Sequence, residues 1–152
     1  MGAPEIGANS GHPVRVRVRS QHHVDIARHV ARVVSLDAGF DEVTTARLAT
    51  AVSELAANLC FHAPGGGVIS FLVIARDGRT GVTIVAEDDG PGIADLARAM
   101  QDGFSTRGGM GSGLPSVQRL MDEFEIASEP RVGTRVRATL WRRQSRSRGR
   151  PA

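Results

Sequence analysis

Residues 68–92, VISFLVIARDGRTGVTIVAEDDGPG, decide the fold. Two apolar, β-branched runs, Val68 to Arg76 and Thr80 to Glu87, flank Asp77-Gly78. That dipeptide favours the left-handed backbone of a tight hairpin turn, so the stretch predicts two antiparallel strands. The second strand runs out into Asp88-Asp89-Gly90-Pro91-Gly92. On composition alone this acidic glycine segment is either a plain turn after a strand or a turn that contacts a ligand.

Upstream of the hairpin the spacing turns helical. In Ala49 to His62, Val52, Leu55, Ala56 and Leu59 recur on one face, while Glu54 and Asn58 lie one turn apart on the neighbouring stripe. This helix is expected to start at a capping Asp41 and to stop before Pro64 and three glycines. Val24, Ala27, Val30, Ala31 and Val34 mark an earlier helix, Gln21 to Ala38, halted near Gly39. Before it, Val14-Arg15-Val16-Arg17-Val18-Arg19 alternates with period two, the pattern of a strand with one wet face at a sheet edge.

Downstream, a short helix is expected near Ala94 to Gln101, then a polar lid, then Gly109-Met110-Gly111-Ser112-Gly113. Leu114, Val117, Leu120 and Met121 follow at amphipathic spacing, so this glycine loop opens a helix. A helix N-terminus directs backbone N–H groups and a favourable dipole at an anion such as phosphate. The loop lacks the Gly-Lys-Ser/Thr of a Walker motif, and it stands too late in the chain for a dinucleotide fingerprint. Phe124 to Ser128 and Thr134 to Trp141 form a last hairpin around Pro130 to Gly133. Helices grouped against a mixed, mostly antiparallel sheet give an α+β two-layer sandwich with the helices on one face.

Composition narrows the function class. The 152 residues, 41% hydrophobic and 23% charged, suit one soluble domain with a single core. The net charge of +3 is misleading as a hint of nucleic acid. Five of the 19 basic residues lie in 142–152, leaving 14 against 16 acids in residues 1–141. We therefore expect a disordered leader over 1–13, one domain over 14–141 and a basic disordered tail over 142–152, with no specific nucleic-acid partner. No apolar run reaches the length of a membrane span and no basic-then-apolar leader is present, which predicts a cytoplasmic chain. The lone Cys60 suits a small buried hydrophobe. His12, His22, His23 and His29 have no metal-ligand spacing.

Glu54-Leu55-Ala56-Ala57-Asn58, Asp88-Asp89-Gly90-Pro91-Gly92, Gly109-Met110-Gly111-Ser112-Gly113 and Gly133-Thr134 resemble, in order and spacing, the ATP-binding boxes of the GHKL ATPases. That superfamily includes gyrase, Hsp90, histidine-kinase and MutL domains. Within it, VSELAANL, AEDDGPGI and DGFSTRGGMGSGLPSVQRLMDEFEI are similar to the RsbT-type switch serine/threonine kinases of the bacterial stressosome. The resemblance spans about residues 14–141 and implies a Bergerat-type fold and the use of ATP with Mg²⁺. It implies Glu54 as general base and Asn58 as the Mg²⁺ ligand. Asp88 is implied as acceptor from the adenine amino group, with Thr134 in support and Gly90 and Gly92 letting the turn wrap the base. Gly109, Gly111 and Gly113 would cradle the phosphates. Ser105, Thr106 and Arg107 lie in the lid, Arg107 either as a phosphate contact or as an exposed loop charge. His62, on the Glu54 stripe, is expected to be a helix-end histidine.

The resemblance further implies a STAS-domain substrate protein (RsbS-like or RsbR-like) and a PP2C-type phosphatase partner (RsbU-like). An anti-sigma factor of the RsbW or SpoIIAB type, holding a sigma factor, is the alternative, as is a non-catalytic ATP-binding switch. The segment Leu114-Pro115-Ser116-Val117 resembles the switch-kinase version of the post-glycine helix rather than the anti-sigma version. A histidine-kinase catalytic domain fits less well, because no paired dimerisation helix precedes the ATP boxes.

Overall fold

The computed structural model describes residues 11–92, 100 and 113–143. The expected short helix over 94–101 (but for Met100), the lid residues Ser105, Thr106 and Arg107, Gly109 and Gly111, most of the leader and residues 144–152 lie outside the described residues. Five strands and three helices follow in the order β1 (Val14–Val18), α1 (Gln21–Asp37), α2 (Glu42–His62), β2 (Gly67–Arg76), β3 (Arg79–Asp88), α3 (Gly113–Leu120), β4 (Glu123–Glu129) and β5 (Gly133–Trp141). The sheet order is β1-β2-β3-β5-β4. Each of these pairings is antiparallel. The parallel component of the expected mixed sheet is therefore missing among the described strands. The arginine-alternating β1 is an edge, as its pattern predicts.

Local chemistry sets the boundaries. Asp77 and Gly78 adopt φ of 54° and 75°, the doubly left-handed turn that an Asp-Gly pair favours between twisted strands. The chain leaves α1 through Gly39 at φ 83°. There Gly39 N–H donates to Leu36 O and Phe40 N–H to Ser35 O, the pair of reverse bonds that satisfies the last carbonyls of a helix. Asp41 caps α2, its carboxylate accepting from Thr44 N–H at 2.7 Å. That bond holds the Asp41 carboxyl below the usual carboxylate range.

One face of the sheet carries the core. Val16 and Val18 of β1, Ile69 and Phe71 of β2, Val82, Ile84 and Ala86 of β3, and Val136, Ala138 and Leu140 of β5 are buried and in register across the ladders. They meet Val24, Ala27 and Ala31 of α1 and Leu48, Val52, Leu55, Ala56 and Leu59 of α2, so both helices lie on this face. Each large buried side chain stabilises the layer contact by about 1.5–3 kcal/mol. The opposite face mixes polar and apolar side chains, with buried Thr83 and Thr139 sharing a 2.8 Å hydrogen bond. Trp141 covers Gly81 on that face, its ring flanked by the guanidinium groups of Arg76 and Arg79, each 5.0 Å from the centroid.

Candidate nucleotide site

The α2 helix buries its apolar stripe and leaves Glu54 and Asn58 half-buried beside it, one turn apart on a common face. Burial alone pushes the Glu54 carboxyl above the ordinary glutamate value, because desolvation disfavours the charged form. Asn58 meets the start of α3. A Cβ on Gly113 would stand 3.2 Å from Asn58 Oδ1 and 3.4 Å from Nδ2, so the first residue of α3 lies directly against this amide. At the other end of α3, the Arg47 guanidinium donates to Leu120 O at 2.8 Å. Contacts of Gly113 with Asn58 and of Leu120 with Arg47 make α3 antiparallel to α2, with its N-terminus beside Asn58. Pro115 is buried in the first turn of α3, where a missing N–H costs no helical bond. His62 is exposed at the end of α2, as expected. Cys60 is half-buried against the core, and desolvation pushes its thiol up, away from reactivity.

The acidic turn leaves the end of β3 and packs against the end of α2. Asp88 Oδ1 accepts from Gly90 N–H at 2.9 Å, closing a tight local turn, and a Cβ on Gly90 would come 3.5 Å from Ala63 Cα. Pro91 O accepts from Arg131 N–H at 3.0 Å, which ties the turn to the loop between β4 and β5. Gly92 has φ 77°, and a Cβ there would lie 2.5 Å from Glu129 O. Glycine is required at this position by both backbone sign and close approach. Thr134 stands opposite Asp88 in the β3–β5 register.

Ser128 was missing from the residues that the sequence pointed to. Its hydroxyl oxygen lies 2.9 Å from that of Thr134, directly across the β4–β5 ladder. Asp88, Ser128, Val132, Gly133, Thr134 and Arg135 are among the residues lining an open cavity of about 420 Å³ at this end of the sheet. That size falls within the roughly 300–1,000 Å³ of small-ligand pockets. The signal for Ser128 is indirect: once the last hairpin is closed by a short loop, the residue opposite Thr134 follows by counting.

Among the expected site residues, Glu54, Asn58 and Gly113 thus form one group, and Asp88, Gly90, Gly92 and Thr134 a second. The two groups are joined through the C-terminal half of α2. Ser105, Thr106, Arg107, Gly109 and Gly111 lie outside the described residues. Among the described residues no group of three or more His, Cys, Asp or Glu side chains is placed to hold a metal by itself. Mg²⁺ bound with a nucleotide needs no such cage, since phosphates and waters fill most of its six positions. A single amide oxygen beside a helix N-terminus, as at Asn58 and Gly113, has the chemistry for that limited role.

The chain matches the family model of the histidine kinase-like ATPase domain over residues 18–140. It is 46% identical over 128 residues to the serine/threonine-protein kinase RsbT of Bacillus subtilis, covering 84% of this chain and 96% of that one. It is 37% identical over 116 residues to the anti-sigma F factor of Caldanaerobacter subterraneus, covering 73% of this chain and 78% of the relative. The mycobacterial sensor histidine kinase MprB shares the fold, with a TM-score of 0.51 at 21% identity over 88% of this chain and 99% of that chain. No helix among the described residues is long and apolar enough to cross a membrane. The chain belongs to the histidine kinase-like ATPase domain family, as an ATP-dependent protein kinase of the branch that holds RsbT and the anti-sigma F factors.

Proposed function

We propose that this protein is a serine/threonine kinase of the RsbT type, which transfers the γ-phosphoryl group of ATP to a serine or threonine of a STAS-domain partner (RsbS-like or RsbR-like). The observation that carries the reading is the meeting of Asn58 with Gly113, one helical turn from a Glu54 whose carboxyl is raised by burial. In the transfer, the hydroxyl oxygen of the acceptor attacks the γ-phosphorus, the bond to the β–γ bridging oxygen breaks, and ADP leaves. Glu54 accepts the hydroxyl proton. A carboxylate raised above the usual glutamate range is a stronger base once ionised. Backbone N–H groups at the start of α3 stabilise the phosphate charge, which is where most catalysis of phosphoryl transfer lies. Asn58 would hold Mg²⁺ through its amide oxygen, and the ion when bound would supply further charge neutralisation. Asp88, with one oxygen engaged by Gly90, keeps the other for the adenine amino group, and Thr134 stands beside it.

In this reading the protein is a partner switch: bound to its STAS protein it phosphorylates it, and once released it engages a PP2C-type phosphatase (RsbU-like) in a stress response. The 37% identity to an anti-sigma F factor favours one second reading, in which the protein holds a sigma factor and phosphorylates that factor's antagonist. Incubation with γ-labelled ATP, Mg²⁺ and candidate STAS and sigma proteins of the same genome tests both. Label on serine or threonine of a STAS protein, without a stable sigma complex, is the expected result. Capture of a sigma factor transfers the protein to the anti-sigma class, and nucleotide binding without any transfer makes it a non-catalytic switch.

A further inference from the structure

Arg47, Glu54 and Asn58 stand at positions i, i+7 and i+11 of α2, close to whole numbers of turns apart, so all three lie on one stripe of that helix. Asn58, at one end of the stripe, meets Gly113, the first residue of α3. Arg47, at the other end, is half-buried, and its guanidinium donates at 2.8 Å to the carbonyl oxygen of Leu120, the last residue of α3. That oxygen is one of the last four carbonyls of its helix, which have no intrahelical donor. A cation there also meets the negative end of the helix dipole. Leu114 and Val117 bury the apolar side of α3 in the core, but apolar contact is non-directional and resists lifting more than sliding. A carbonyl of the last turn points along the helix axis, so a donor bound to it resists sliding. Eight residues of helix, about 12 Å, move as one rod, and what holds Leu120 also holds the first N–H groups of α3.

We propose that Arg47 is a positioning residue for phosphate binding: by holding the C-terminal end of α3, it sets where the N–H groups at the other end stand relative to the Asn58 amide. The inference rests on the reading of α3 as the helix that receives the phosphates of ATP. Donors stabilise an oxyanion best when they already stand at hydrogen-bond distance from it, and such bonds weaken over roughly a few tenths of an ångström. Without the Arg47 bond, α3 slides along α2, and its N–H groups and the Asn58 amide oxygen no longer converge on one phosphate group. Asp88 and Thr134 belong to β3 and β5 and are untouched by that shift. The loss of Arg47 is therefore felt at the phosphates and not at the adenine.

Titration calorimetry of the wild-type protein and of the Arg47→Met and Arg47→Lys variants with ATP, and competition titration with adenosine, test this. Arg47→Met keeps the apolar stem and removes the donor. It is expected to weaken ATP binding by about three- to tenfold, a part of the worth of one hydrogen bond from a charged group, and to leave adenosine binding unchanged. Arg47→Lys keeps the charge, most of the length and a donor for a bond that is a single donation, and is expected to bind ATP within about twofold of the wild type. Should Arg47→Met not fold, Arg47→Gln, whose amide ends two bonds short of the guanidinium nitrogens, is expected to give the same selective loss. A merely structural role loosens the whole domain, so an equal loss on ATP and adenosine overturns the proposal. An Arg47→Lys variant as weak as Arg47→Met does likewise. Unchanged ATP affinity in Arg47→Met overturns it while the ATP reading stands. A wild-type protein that binds no ATP removes both.

Discussion

Gly133→Ala joins the backbone of the last hairpin to the proposed adenine contact. Gly133 has φ 135°, and a Cβ there would lie 2.1 Å from the Asp88 carbonyl oxygen and 2.9 Å from Asp89 Cα. Non-bonded atoms of this kind relax only near 3.5–4.0 Å, so β3 and β5 must part by roughly 1 Å or more at the rung that carries Asp88 and Thr134. The strained backbone costs of order 1–3 kcal/mol. A weakened ladder hydrogen bond adds about 1 kcal/mol. The sum, about 2–4 kcal/mol, lowers Tm by roughly 4–16 °C in a chain of this length. Displacing Asp88 also forfeits a hydrogen bond from the adenine amino group to a charged oxygen, worth about 1.5–3 kcal/mol, hence a roughly 10- to 150-fold loss in ATP affinity. Gly78→Ala is the control. Gly78 has φ 75° but nothing within 4 Å of its would-be Cβ, and it lies at the far end of the β2–β3 hairpin. It should lose only the roughly 1–2 kcal/mol of a left-handed alanine and none of the affinity. Calorimetric titration with ATP and thermal melts of both variants decide the matter. If Gly133→Ala binds ATP as the wild type does, this rung does not hold the base.

Glu54→Gln keeps shape and removes the base, so ATP affinity should persist while phosphoryl transfer falls by about 10²- to 10⁴-fold. The transfer rate requires ionised Glu54, so its acidic limb should lie above the ordinary glutamate range and disappear in the variant. The same shift has a stability sign. A carboxyl raised by folding contributes fully below its unfolded pKa and loses that contribution as pH rises through the folded value. The melting temperature of Glu54→Gln should therefore gain on the wild type over that interval, and parallel curves across it would contradict the burial of Glu54. Asp88→Asn should weaken ATP binding by at least about tenfold, since an amide nitrogen or a neutral oxygen replaces a charged acceptor. Equal affinities would remove Asp88 from base recognition. Asp41, held low by the Thr44 N–H, stabilises the start of α2 above its unfolded pKa and loses that contribution as pH falls through its folded value. The melting difference between wild type and Asp41→Ala should accordingly shrink on acidification, and a pH-independent difference would exclude the cap as its source.

The readable part of this protein was the part fixed by neighbours in sequence. Asp77-Gly78 declares its turn because two left-handed residues are needed in succession, and Asp41 declares its helix because an acid three residues before Thr44 can reach its N–H. Glu54 and Asn58 declare a shared face by their spacing. What the sequence left open depends on pairings across long separations. The β3–β5 ladder that puts Thr134 opposite Asp88 joins residues 46 apart, and no local pattern selects it over a parallel alternative. Ser128 sits in an alternating run like any edge-strand serine. Its partner is set by the loop Pro130-Arg131-Val132, where Arg131 takes φ 66° without being glycine. That loop is held by the bond from Arg131 N–H to Pro91 O, which belongs to the acidic glycine turn. The turn after β3 and the loop before β5 thus position each other. A side chain from β4, silent in the sequence, enters the same cavity as Asp88 because these two distant loops are tied together.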